Sequence, residues 1–109
     1  PDTLLLENLC AITLYKKYGS GMYYFNRNIE VDFYVPDEGM AVQASYRMSD
    51  ESTLEREIKA LVALNSLYPL KKALIVTYED EGMMEREGLK IEIVPVWKWV
   101  LNARITLIS

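Results

Sequence analysis

The chain has 109 residues, half of them hydrophobic and 26% charged, with a formal net charge of −4 and a pI near 4.8. That length makes one domain with a single modest core. No apolar run approaches the roughly 18–20 residues needed to span a bilayer, and no signal-peptide pattern opens the chain.

Non-specific nucleic-acid binding is mostly neutralisation of phosphates by Lys and Arg, so the acidic balance argues against it. There is no His and one Cys, which argues against a zinc site. Cys10, in Leu9-Cys10-Ala11-Ile12, has no partner for an internal disulfide, which fits a reducing cytoplasm. With no activating base nearby it reads as a buried structural thiol. The chain opens at Pro1 without a Met and enters Leu4-Leu5-Leu6 within three residues, which reads as a fragment excised from a larger protein.

Residues 3–18 predict a helix, with Leu5, Leu9 and Ile12 at helical spacing and Gly19 ending the run. Leu4, Leu6, Cys10 and Leu14 make it apolar nearly all round, which implies cover on most sides, by other protein or a second copy. Three strands follow, at 22–27, 29–35 and 40–47. The turns Asn26-Arg27-Asn28 and Pro36-Asp37-Glu38-Gly39 join them into an antiparallel meander. Ser52-Thr53-Leu54-Glu55 fits a capping box opening a second helix. Its buried stripe is Leu54, Ile58, Leu61 and Val62, and Tyr68-Pro69 stops it.

Lys72 to Tyr78 carries Ala73-Leu74-Ile75-Val76, the continuous run of a strand covered on both faces. Glu79 to Gly88 reads as a charged connection and Lys90 to Val94 as a last strand. Pro95 starts a short helix bearing Trp97, Trp99 and Leu101. Residues 105–108 fit either a further strand or a helix end. The order is αβββαββα, an α/β mixed sheet with helices packed on it.

Side chains alternate along a strand, so Glu30 and Asp32 share one face and Gln43, Ser45 and Arg47 another. Pairing through the Pro36–Gly39 turn brings Asp32 beside Gln43 and Ser45. Glu7, the one charge amid an apolar helix, can reach the same edge. Each also has a plainer role: the strand residues as the solvated face of a hairpin, Glu7 as a contact to other protein. Tyr23, Tyr24, Phe25, Tyr34 and Tyr46 read as cross-strand packing pairs, and Trp97 and Trp99 as core or interface anchors. Lys16-Lys17 suits the helix dipole; Lys71-Lys72 is solvated.

This order, with a helix Glu, a strand Asp and a third-strand signature, resembles that of the PD-(D/E)XK restriction-endonuclease-like superfamily. Leu6-Glu7-Asn8-Leu9, Glu30-Val31-Asp32-Phe33, Thr53-Leu54-Glu55-Arg56-Glu57 and Pro95-Val96-Trp97-Lys98-Trp99 resemble more closely a domain of unknown function. That domain ends many prokaryotic AAA-type ATPases, after a P-loop domain and a winged helix. The resemblance covers nearly the whole chain. It implies a single nuclease-like domain over 1–109, a C-terminal fragment of an ATP-binding protein.

In active superfamily members, the helix Glu, the strand Asp and the Glu of a Glu-x-Lys signature hold Mg²⁺, and the Lys orients water. Glu7 and Asp32 match, but Gln43-Ala44-Ser45 stands where Glu-x-Lys belongs. The metal set, were the site active, is Glu7, Asp32 and Gln43. Glu55 and Lys59 on the next helix are a recruited pair or an ordinary i,i+4 ion pair. The expected function is a non-catalytic accessory domain, cytoplasmic, without cofactor. Its partners would be the upstream ATPase and winged-helix domains or another copy. The alternatives are a Mg-dependent nuclease with a rearranged site and a DNA-binding module without chemistry.

Overall fold

The computed structural model describes residues 2–108, and side chains as far as Arg104. Three helices and a six-stranded mixed sheet make three layers. Helix α1 (Asp2–Tyr18) presses Leu6, Cys10 and Leu14 inward at four-residue spacing and runs into a 3-10 turn at Gly19–Gly21. Strands β1 (Tyr23–Asn26), β2 (Glu30–Val35) and β3 (Met40–Ala44) form the expected antiparallel meander. Asn28, at a φ of 68°, turns the first hairpin; Asn tolerates this left-handed region better than most residues.

The second turn is a 3-10 turn, Pro36–Glu38, ended by Gly39 at a φ of 58°. Glycine is required there twice over. The left-handed backbone disfavours a side chain, and a Cβ would lie 3.3 Å from the Lys71 backbone nitrogen. The Gly39 carbonyl accepts from the amides of Lys71 and Lys72 at 2.7 and 3.1 Å, which fixes the start of the neighbouring strand.

Helix α2 (Glu51–Leu67) crosses over to β4 (Lys72–Thr77), which pairs parallel to β3, Ala44 opposite Val76. The expected capping box at Ser52 is displaced by two residues. The N-cap is Asp50, whose carboxylate accepts from the Thr53 amide and hydroxyl at 3.3 and 2.9 Å. Asp satisfies the first turn's amides as well as Ser and adds charge that suits the dipole.

The stretch expected as a charged connection contains a strand, β5 (Gly82–Arg86), hairpinned to β6 (Leu89–Pro95). Glu87 and Gly88 join them at φ values of 51° and 82°, the left-handed pair of a two-residue hairpin. β6 inserts between β4 and β5, parallel to β4, so the order is β1-β2-β3-β4-β6-β5. The element order is therefore αβββαβββα. Helix α3 (Val96–Ile108) runs to the end of the described chain, so residues 105–108 continue it rather than forming a strand.

The core lies on both sides of the sheet. α1 and α3 cover one face, with Leu6, Cys10, Leu14 and Trp99 against Val42, Leu74 and Val94. α2 covers the other, with Ile58, Leu61 and Leu64 against Ala41, Ile75 and Ile91. All five residues of β3 are buried. Among the described residues no helix is long and apolar enough to cross a membrane.

Candidate functional site

Pairing of β2 with β3 runs from Val35 opposite Met40 to Phe33 opposite Val42, and there the backbone ladder stops. Side chains replace it. The Gln43 Oε1 accepts the Asp32 amide at 2.9 Å. Its Nε2 donates to the carbonyls of Glu30 at 3.1 Å and Glu57 at 3.3 Å. Asp32 answers by accepting the Ala44 amide on Oδ2 at 2.8 Å. One amide thus joins β2, β3 and α2, and all three contacts are to backbone.

Gln43 is 1% exposed and Ser45 3%, so these two do not belong to the solvated hairpin face that strand alternation allowed. That reading fails because α2 lies over this face of β3. Burying an amide is costly unless its hydrogen bonds are made, and here they are.

An open groove of about 1300 Å³ runs between the start of α1, the β1–β2 turn and α2; Glu7, Glu30, Asp32, Gln43 and Glu57 all border it. The structure therefore brings four of the five expected patch residues together. Ser45 borders an adjoining pocket instead, with Glu57 and Thr3. Arg47 turns away, its guanidinium 5.4 Å above the Tyr46 ring, which stacks on Tyr78. Of the aromatic pairs expected in the strands, Phe25 and Tyr34 meet edge to face.

Glu55 and Lys59 both border this groove. The Glu55 carboxylate forms a two-bonded ion pair with Arg86 of β5, at 2.7 and 3.1 Å. The ion pair of Glu55 thus runs to the edge strand rather than to Lys59 one turn on, the partner that the i,i+4 spacing suggests.

Sequence reasoning missed Glu57. It lies three residues after Leu54 and four before Leu61, beside the stripe that α2 buries, and a charge at that spacing was the available signal. Its Oε2 is buried without a hydrogen-bond partner. Burial pushes its carboxyl up to about 8, helped by the charges of Asp32 and Glu7 and opposed by Arg56 and Ser45. Burial likewise raises Asp32 to about 6; the Ala44 amide opposes this, Glu7 and Glu30 add to it, and Arg56 opposes it again. Burial thus disfavours the charged form of both carboxyls, and more strongly at Glu57.

Cys10 is fully buried, and its thiol is pushed up to about 12 by burial and by Asp32 and Glu7, so it is inert as a nucleophile. Among the described residues no three His, Cys, Asp or Glu side chains gather closely enough to hold a metal ion. The arrangement can hold a proton and lock a strand, and Arg56 and Lys59 border the same groove as the acids.

No family model matches the chain, and no solved structure matches it. It is similar to an uncharacterized protein of Methanocaldococcus jannaschii, 37% identical over 112 aligned positions covering 90% of this chain and 24% of that protein. The chain thus spans about a quarter of the length of this relative.

Two outcomes are expected. Gln43→Ala strands the Asp32 amide and two carbonyls in a buried place and costs about 2–4 kcal/mol in urea unfolding; a cost below about 1 kcal/mol would contradict the clamp. The pH dependence follows from the raised carboxyls. The folded pKa values, about 6 for Asp32 and about 8 for Glu57, exceed the ordinary 3.8 and 4.5. The native state therefore holds more protons in that window, and stability falls as pH rises. The lowered carboxyls of Asp50 and Glu55 oppose this only in acid. Thermal melts should show a higher midpoint at about pH 5 than at about pH 8. Glu57→Gln should recover about 1–2 kcal/mol at the higher pH, discounted for partial exposure; a loss there would contradict the assignment.

Proposed function

We propose that this chain is a non-catalytic interaction domain on a restriction-endonuclease-like sheet, the accessory module of an AAA-type ATP-binding protein of the cytoplasm. The observation that carries the reading is the engagement of Gln43. Its carbonyl is held by the Asp32 amide and its amino group by two backbone carbonyls. A neutral amide fixed in this way does not replace a metal-binding carboxylate. Ser45 supplies a hydroxyl where a nuclease needs a cation to carry phosphate charge. In this reading the vestige of a nuclease centre has become structural, joining strands and helix.

The interaction part of the reading rests on surface. The outward faces of α1 and α3 carry Leu4, Leu5, Ile12, Tyr15, Trp97 and Leu101 exposed, beyond what a solvated helix needs. The motif resemblance supplies the AAA-type parent and its winged-helix domain as partners. The archaeal relative has room for such domains, since the matched stretch is 24% of it.

A second reading, a Mg-dependent nuclease with a rearranged site, draws on one observation: the buried, unpartnered Glu57 Oε2 beside Asp32. In that reading Glu7, Asp32 and Glu57 would be the oxygen donors. The donor set does not fit, because these carboxylates do not gather about one point, and no hydrolytic step is derived through them. A nucleic-acid-binding module without chemistry has the net charge of −4 against it.

Calorimetric titration of the chain with Mg²⁺ and Mn²⁺ should give no binding, and no cleavage of single-stranded, duplex or branched DNA should follow in Mn²⁺. Metal binding abolished by Asp32→Ala, or cleavage abolished by Asp32→Asn, would replace the first reading with the second.

A further inference from the structure

Helix α1 buries Leu6, Cys10 and Leu14 on one side. A rotation of 100° per residue puts Leu4, Leu5, Asn8, Leu9, Ile12, Tyr15 and Lys16 on the other. Leu5 is 69% exposed and Ile12 53%. α3 packs beside α1 on the same face of the sheet and turns Trp97, 63% exposed, and Leu101 outward. The two helices thus form a layer that is apolar outside as well as inside.

Leu4, Leu5, Leu9, Ile12, Tyr15, Trp97 and Leu101, 40% to 69% exposed, together leave on the order of 700 Å² bare at roughly 150–250 Å² per large side chain. That is above the roughly 300–600 Å² of the largest patch on an ordinary monomer. It approaches the ~800 Å² per partner of a standard interface.

We propose that a second copy of this chain covers this layer, α1 against α1 in antiparallel sense about a two-fold axis near Leu9. This rests on, and deepens, the reading of the chain as an interaction domain. Charge selects the antiparallel sense. Asp2 lies in the first turn of α1 and Lys16 in the last, so a two-fold axis midway brings each Asp2 level with Lys16 of the other copy. A parallel pair would set like charges together at both ends. The helix dipoles also oppose one another in the antiparallel pair.

Leu5 then lies within one residue, roughly 1.5 Å along the axis, of Ile12 of the other copy. Asn8, the one uncharged polar residue on the outward face near the axis, can bond across it and fix the register, the use coiled coils make of a single interfacial Asn. Such an interface is isologous and closes as a dimer.

Sedimentation of the chain across the micromolar range tests this. A species of twice the 12.6 kDa chain mass is expected. Ile12→Lys, at an exposed position outside the core, should weaken it roughly 30-fold or more with an unchanged circular dichroism spectrum. Lys16→Glu should weaken it about threefold to fivefold, and adding Asp2→Lys should restore it. A monomer at every concentration, a dimer indifferent to Ile12→Lys, or charge reversals that do not compensate would overturn the proposal. A monomer that also binds no divalent metal removes the dimer and leaves the non-catalytic reading standing. Metal binding removes that reading whatever the mass.

Discussion

Where β2 and β3 part after Phe33 and Val42, the carboxamide of Gln43 takes the place of the backbone ladder, and the centre of the molecule depends on it. Without that amide the Asp32 amide and the carbonyls of Glu30 and Glu57 would face one another across a part-buried gap with no protein partner for any of them. A neutral group with both a donor and an acceptor answers this geometry. A carboxylate could accept the Asp32 amide but could not donate to the two carbonyls. Gln43 is thus the residue that this junction of two strands and a helix requires.

The acids follow from the same arrangement. With Gln43 drawing β2 and α2 together, Asp32 and Glu57 share a poorly hydrated region bordered by Glu7. Arg56 is the cation that moderates both, and it lies on the exposed side of α2. Like charges this close raise one another's carboxyls, and Glu57, with a buried, unpartnered oxygen, is raised the further. Perturbed carboxyls often mark active sites, but structural networks produce them too. Here the hydrogen bonds that occupy the Gln43 amide and the Asp32 carboxylate are the structural contacts of the network. The raised carboxyls make stability depend on pH.

Much of the architecture was legible in residues alone. The alternation of 29–35, the turn residues Pro36 to Gly39 and the continuous run Ala73-Leu74-Ile75-Val76 mark a meander followed by a central strand, and these form. Periodicity placed α1 and α2 to within a residue or two. β5 escaped because an edge strand needs little apolar content: Glu85 and Arg86 sit in it without cost, and Glu87-Gly88 is a less familiar hairpin pair than Asn-Gly. The helix cap went to Asp50 because a carboxylate two residues earlier competes for the same amides.

At the site, the proximity of Asp32 and Gln43 follows from the turn, but alternation could not reveal that both faces of β3 are covered. Gln43 and Ser45 were therefore placed on a wet surface when they are core. Glu57 went unnoticed because a single charge beside a helical stripe looks like the boundary of its exposed face.

The exposed apolar side chains of α1 and α3 lie on the face of the sheet opposite α2. Docking there need not disturb Gln43. Hydrogen exchange followed by NMR bears most directly on whether that amide is structural. The account predicts that the Asp32 backbone amide and the Gln43 side-chain amide exchange only with global unfolding, as slowly as the amides of β3 and β4. Exchange of either at the rate of an unstructured peptide would leave Oε1 free to serve as a ligand and would contradict it.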